Sequence, residues 1–291
     1  MLKPFTLYTP DTVSQCVGLL WQLENAKVVA GGTDVFVKMH KGENYPILVD
    51  LKRIQKLRAL SFGIDEGLSI GALVTYRELL HNKNLIRYYP ALSDAISRIG
   101  SVQVRSRGTV AGNICNASPA ADTAGPLLLY DAVIHIAGEK CDERTVSIAD
   151  FFTGPGKTCL QKGEIVTQIR LMPPTISSGS GYVKLMKRGA LEIAILGAGV
   201  KIALDASGKC TMARITLSAV NPTPIRVEEA EEYIIGKELT AESILHIAGL
   251  AYKKAEPKTW RNSEEWSKDM VRVYIPKAMQ IALERLEKGE F

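Results

Sequence analysis

The sequence predicts a mixed α+β chain of two domains. Its length of 291 residues is about twice that of a typical single domain. Short apolar strands alternate with helical segments through the first 175 residues, and a Pro- and Ser/Gly-rich break is followed by strands and then helices. With 46% hydrophobic and 23% charged residues, the composition is that of a globular protein.

The elements follow in order. Lys27 to Ala30 is a short buried strand running into Gly31-Gly32, after which Thr33 and Asp34 suit the N-cap of a helix over Val35 to Met39. Ile47 to Leu51 and Leu68 to Ala72 are the next strands. Tyr76 to Leu80 and Tyr89 to Ile99 read as helix, with Leu92, Ala95, Ile96 and Ile99 at spacings of three and four. Val133 to Ala137, Arg144 to Ile148 and Ile165 to Leu171 alternate apolar and polar residues, as antiparallel strands with one wet face do. Pro173-Pro174 and Ser177 to Gly181 predict a flexible linker, with the domain border between residues 176 and 177. Beyond it, Gly181 to Met186, Ile193 to Leu204 and Cys210 to Val220 predict a three-stranded antiparallel sheet, which Pro222 to Pro224 ends. Three helices follow, over Val227 to Gly236, Ala241 to Tyr252 and Ser263 to Glu287. Pro276 should kink or split the last, and its Trp266, Met270 and Val273 should pack into the core.

Several function classes lose support. Apolar runs such as Ala124 to Tyr130 and Ala190 to Val200 fall short of the roughly 20 residues of a spanning helix. Met1 to Pro10 lacks a secretory pattern, so a cytoplasmic protein without membrane association is expected. Five cysteines (Cys16, Cys115, Cys141, Cys159, Cys210) without a C-x-x-C pair, and four histidines far apart, predict buried reduced thiols and no metal site on this chain. The net charge of +5 is not gathered in a tail, so nucleic acid is not an expected partner. No G-x-G-x-x-G and no G-x-S-x-G occurs, and Gly154 to Thr158 lacks the first glycine of a phosphate-binding loop, which leaves an ordinary turn.

Two small-residue segments stand out. Ala30-Gly31-Gly32-Thr33-Asp34 puts residues without side chains at a strand-to-helix turn, where backbone N–H groups can approach an anion. Alone it fits a tight turn equally well. Thr109-Val110-Ala111-Gly112-Asn113 repeats the pattern about eighty residues later, as a second loop, and the polar run Asn116 to Thr123 follows with a carboxylate at Asp122. Two donor-rich turns and a carboxylate suit a pyrophosphate between hydroxylated groups, as in a dinucleotide.

These segments resemble the FAD-binding subunits of the xanthine dehydrogenase and carbon monoxide dehydrogenase family, among the molybdenum hydroxylases. The match runs through Arg98-Ile99-Gly100, Ala117-Ser118-Pro119-Ala120-Ala121-Asp122, Phe151 to Thr158, Glu164-Ile165, Tyr182-Val183-Lys184 and Asn221 to Arg226. Order and length look most like the bacterial xanthine dehydrogenase type. The resemblance implies a vanillyl-alcohol-oxidase-type (PCMH-type) FAD-binding domain of two α/β subdomains over residues 1–176. A carbon monoxide dehydrogenase flavoprotein-type C-terminal domain, a three-stranded sheet with a helical bundle, would cover 177–291.

By position, the resemblance implies that Val28, Val29, Ala30, Gly31, Gly32, Thr33 and Asp34, with Thr109, Val110, Ala111, Gly112 and Asn113, cradle the FAD diphosphate. Asp122 would contact its sugar or ribityl part, Ile165 and Lys184 would lie along it, and Ile99 near the flavin. Ala111 replaces a glycine of many relatives and restricts the loop to dihedrals open to alanine. The family role is to pass electrons from a [2Fe–2S] cluster on an iron–sulfur subunit through FAD to NAD. Xanthine or hypoxanthine would be oxidised on a molybdopterin-binding subunit, and no catalytic residue is expected here. The alternatives are a stand-alone flavin oxidase or reductase of the same fold, or an FAD subunit serving an aldehyde, nicotinate or carbon monoxide.

Overall fold

The computed structural model describes residues 2–139, 143–175, 177–189, 191–258 and 263–289. Cys141, Ala190 and the border residue 176 lie outside the described residues. The chain opens with β1 (Thr6–Tyr8), α1 (Val13–Gln22), β2 (Ala26–Val29), α2 (Val35–His40) and β3 (Ile47–Asp50). These strands form a parallel sheet in the order β1-β3-β2, with α1 and α2 as the crossovers that parallel pairing requires. Thr12 caps α1 by accepting from the Gln15 N–H, and the helix buries Cys16, Val17 and Leu20 on one face.

A second subdomain follows. It contains β4 (Leu60–Gly63), β5 (Gly67–Gly71), α3 (Tyr76–Leu80), α4 (Lys83–Tyr88), α5 (Pro90–Ser97), α6 (Val102–Arg105), α7 (Val110–Asn116), α8 (Ala124–Leu129), β6 (Val133–Ala137) and β7 (Glu143–Ser147). It closes with α9 (Ile148–Phe151), the small ribbon β8 (Phe152–Gly154) and β9 (Lys157–Thr158), and β10 (Ile165–Leu171). Its sheet is antiparallel in the order β4-β5-β10-β6-β7. The predicted helix over Tyr89 to Ile99 begins at Pro90, because Tyr89 precedes proline and is pushed out of helical geometry at φ −134°, ψ 49°. One hydrophobic core spans both subdomains, from Cys16 and Val17 of α1 to Ile169 of β10.

The remaining chain forms β11 (Ser178–Leu185), β12 (Leu196–Leu204), β13 (Cys210–Ser218), β14 (Ile225–Arg226), α10 (Glu228–Ile234), α11 (Ala241–Lys254) and α12 (Glu264–Glu287). Three expectations need correction. The sheet has four strands, since the chain re-pairs after Pro224 and β14 lies against Thr216 and Leu217; two residues are too few to show a periodic signal. Ser178 to Gly181 is no linker but the buried start of β11. Its small residues let α12 lie close: a Cβ on Gly179 would overlap the carbonyl oxygen of Ala282. Lastly, Pro276 does not split α12, because packing of Val271, Ile275, Ala278, Met279 and Ala282 in the second core outweighs the lost hydrogen bond. That stripe, not Trp266 (40% exposed) and Val273 (41% exposed), faces inward; Met270 is only partly buried against the core.

Strand β11 belongs physically to both halves. Tyr182 sits in the first core, Ser180 meets the Tyr130 hydroxyl at 2.7 Å, and Asp94 of α5 pairs with Arg285 of α12 at 2.7 Å while accepting from the Tyr182 N–H. No helix among the described residues is long and apolar enough to cross a membrane.

Gly179→Ala should lower the free energy of unfolding in urea titrations by about 2 kcal/mol through overpacking of α12. Gly249→Ala, where an added Cβ meets nothing within 4 Å, should instead stabilise α11 by up to about 1 kcal/mol.

Candidate functional site

After β2 the chain turns through Ala30 to Asp34 into α2. Gly32 has φ +79°, a region that favours glycine, and a Cβ on it would lie 2.7 Å from the Phe36 ring. Gly31 is held more tightly: a Cβ there would overlap the carbonyl oxygen of Arg107 and lie 3.0 Å from the Cα of Gly108. The first small-residue turn thus rests, backbone on backbone, against the residues directly before Thr109.

The second segment is corrected from loop to helix. Thr109 is the N-cap of α7, its hydroxyl accepting from the Gly112 N–H at 2.9 Å, and residues 110–113 form the first turn. This happens because Thr-x-x-Gly offers a cap in front of a short run ending in the left-handed Ala117 (φ 48°). The helical conformation of Ala111 is fully open to alanine, so the methyl group restricts nothing there. The N–H groups of Val110 and Ala111 have no intrahelical acceptor, as at any helix start.

Side chains lock the two segments together. Lys38 donates to the Asn116 amide oxygen at 2.7 Å, and the Asn116 amide nitrogen donates to Asp34 at 3.2 Å. Asp34 therefore occupies the N-cap position of α2 without capping it; burial raises its carboxyl above the usual range, with Lys38 opposing. Asn113 accepts from the Thr123 hydroxyl at 2.6 Å, which fixes the start of α8 against α7.

Between these elements lies a cleft of about 430 Å³. Of the residues expected at a binding site, it is lined by Val28, Ala30, Gly31, Gly32, Thr33, Asp34, Thr109, Ala111, Gly112, Asn113 and Ile165. Val29 and Val110 face the cores instead, as strand and helix periodicity demands. Ile99 is buried, its carbonyl accepting from Arg105 at 2.8 Å, and stands outside this lining. Lining residues missed in the sequence include Lys27, Tyr76, Cys115, Asn116, Gly156, Thr158, Leu160, Gln161 and Glu164. The Gly154 to Thr158 turn was the available signal: its Gly156 N–H donates to the Ala117 carbonyl at 2.8 Å, which folds the ribbon over the end of α7. Arg144 then clamps Glu164 through two bonds of 2.7 and 2.8 Å and holds that carboxyl below its ordinary range.

Asp122 and Lys184 also lie outside the cleft lining and form a buried ion pair at 2.7 Å, with Lys184 also donating to the Arg98 carbonyl at 3.4 Å. The Asp122 Oδ2 oxygen is satisfied; its Oδ1 is buried without a hydrogen-bond partner among the described residues. Burial pushes the Asp122 carboxyl up to about 6, opposed by Lys184. Tyr76, on the cleft wall, has its phenol raised by burial and then by the charges of Asp34 and Asp122.

Residues 3–174 match the FAD binding domain in molybdopterin dehydrogenase, and residues 181–282 the CO dehydrogenase flavoprotein C-terminal domain. The xanthine dehydrogenase FAD-binding subunit of Escherichia coli O157:H7 is 32% identical over 275 residues, covering 94% of each chain. The chain belongs to the FAD-binding subunits of the xanthine dehydrogenase and carbon monoxide dehydrogenase family. A nicotinate dehydrogenase FAD-subunit from Eubacterium barkeri is 29% identical over 99% of both chains. A solved carbon monoxide dehydrogenase from Hydrogenophaga pseudoflava superposes with a TM-score of 0.93 at 28% identity, over 98% of this chain and 99% of that one.

The cleft suits the cofactor of this FAD-binding family. Its lining at Gly31 and Gly32 is bare backbone, and Gly112 has only the Thr109 hydroxyl near a would-be Cβ.

Gly31→Ala should force the two segments apart and weaken FAD binding at least about tenfold, read from the bound flavin after gel filtration. For Asp122, the folded carboxyl binds a proton more tightly than the ordinary carboxyl near 3.8, so its contribution to stability falls as pH rises through about 4 to 6. The unfolding free energy of wild type minus that of Asp122→Asn should therefore decline across this window by an order of 1 to 3 kcal/mol and level off above it.

Proposed function

We propose that this chain is the FAD-carrying electron-transfer subunit of a cytoplasmic molybdenum hydroxylase that oxidises xanthine or hypoxanthine. Electrons arrive from a [2Fe–2S] cluster on an iron–sulfur subunit, the substrate is oxidised on a molybdopterin-binding subunit, and NAD is the acceptor. The observation that carries this reading is the backbone contact of Gly31 with Arg107 and Gly108, which sets two donor-rich turns side by side on one cleft. The xanthine assignment draws on the 32% identity to the Escherichia coli subunit. A nicotinate substrate is the second reading, favoured by the full-length similarity to the Eubacterium barkeri subunit. The four described cysteines are free thiols, as a reducing compartment favours.

In this reading residues 1–176 are the FAD-binding domain and 177–291 the C-terminal domain. Bound FAD supplies the exchange between single-electron and hydride transfer. The protein's part is to bind and orient. N–H groups of Gly31 to Thr33 and of Val110 and Ala111 hold the diphosphate, with Val28 and Ile165 as apolar walls and Asp34 and Asn113 bracing the turns. Asp122 would offer its unpartnered Oδ1 to a cofactor hydroxyl, and Lys184, held by the other oxygen, would supply a positive charge that favours a reduced flavin or the diphosphate, with Ile99 near the flavin. No residue of this chain acts as nucleophile or general acid.

The purified chain should be yellow with about one FAD per chain, and its dithionite-reduced form should be reoxidised by NAD. Xanthine-dependent NADH formation should appear only when the two partner subunits are added; steady turnover of an organic substrate by the lone chain would overturn the subunit assignment.

A further inference from the structure

A second cleft, of about 250 Å³, lies on the other side of the Gly31 contact and shares Ala30, Gly31 and Thr109 with the cofactor cleft. Its character is different. Three cations, Lys52, Arg58 and Arg107, converge on it together with the hydroxyl residues Thr75 and Ser106. Glu78 is the only acidic side chain of its lining, and it is engaged by Thr75, which donates to it from both N–H and hydroxyl at 2.7 and 2.6 Å. Lys52 is held by Asp50 at 2.7 Å, and Arg58 donates to the Lys52 carbonyl at 3.3 Å. The exposed Arg107 guanidinium has no partner among the described residues.

We propose that this cleft binds a phosphate group of a mobile dinucleotide, distinct from the resident FAD. The identity of that dinucleotide as the nicotinamide acceptor rests on the function proposed above. Two guanidinium groups and an ammonium lining one small cleft match a phosphate better than a carboxylate or a neutral ligand. A cleft of this volume is below the roughly 300 to 1,000 Å³ that encloses a whole small molecule. It suits one charged portion of a longer ligand whose remainder lies outside. A macromolecular partner would instead need on the order of 800 Å² of matched surface on this side. Because Ala30, Gly31 and Thr109 line both clefts, a phosphate here would be repelled by a cofactor diphosphate, and the three cations would offset that repulsion.

The test uses the full chain loaded with FAD, reduced anaerobically by NADH, which gives up a hydride to the flavin and leaves as NAD. Flavin absorbance reports the half-saturating NADH concentration. Arg107→Ala and Arg58→Ala should each raise it about tenfold, with FAD content and dithionite reduction unchanged. Inorganic pyrophosphate should compete with NADH in the wild type and lose that effect in both variants. Unchanged half-saturation in both variants overturns the proposal while leaving NAD as acceptor intact. Loss of FAD from the variants also overturns it, since the cations would then serve the resident cofactor. Failure of NADH to reduce the wild-type flavin, with no pyrophosphate bound in calorimetry, overturns both this site and the acceptor reading; pyrophosphate bound by the wild type and not by the variants, without flavin reduction, overturns only the acceptor.

Discussion

Two backbones meet at Gly31 with no room for a side chain between them, and the arrangement of the cleft follows from that contact. The turn after β2 belongs to a parallel sheet, whereas Arg107 and Gly108 lead into a helix of the antiparallel subdomain. A methyl group at Gly31 would push the two subdomains apart at this turn. The cleft therefore depends on a missing atom as much as on any bond. The chain Lys38–Asn116–Asp34 reinforces the contact from one side, and the Gly156-to-Ala117 hydrogen bond closes it from the other. Each is a modest interaction, worth on the order of 1 kcal/mol, but they are geometrically convergent, and a shared core holds the subdomains in register.

Strand β11 ties the C-terminal domain to the first core. β11 carries Lys184 to Asp122, inserts Tyr182 into the first core, and is fastened at Ser180 and Tyr182 by the Asp94–Arg285 pair. Burying Asp122 and Lys184 is expensive unless they stay paired. Their pairing holds the Lys184 ammonium between Asp122 and the Arg98 carbonyl. The cost falls on Asp122, whose carboxyl is pushed upward and whose second oxygen is left without a donor. Buried acceptors in native proteins are rarely left so.

Membership in an FAD-binding family constrains the site more than it constrains the reaction. Subunits with xanthine, nicotinate and carbon monoxide in their names share about 30% identity with this chain. An FAD cradle is common to such subunits because the dinucleotide is chemically the same in each. Nothing in a diphosphate cradle senses which molecule is oxidised elsewhere, so its geometry carries no information on substrate.

The sequence by itself determined the strands β6 and β10 and the helices after Pro224, because local periodicity fixes these, and it singled out the two small-residue motifs. It also pointed to Asp122 and Lys184, but not to each other. Tertiary structure alone decided that Ser178 to Gly181 is buried strand and that α12 runs through Pro276 with Trp266 outside. In both cases the deciding partner is far away in the chain, Gly179 lying against Ala282 and the Ile275 stripe of α12 packing into the second core; Gly31 against Arg107 and Asp122 against Lys184 are distant partners of the same kind. Small residues read alike whether they give flexibility or close approach, and only the element that lands on them tells the two apart.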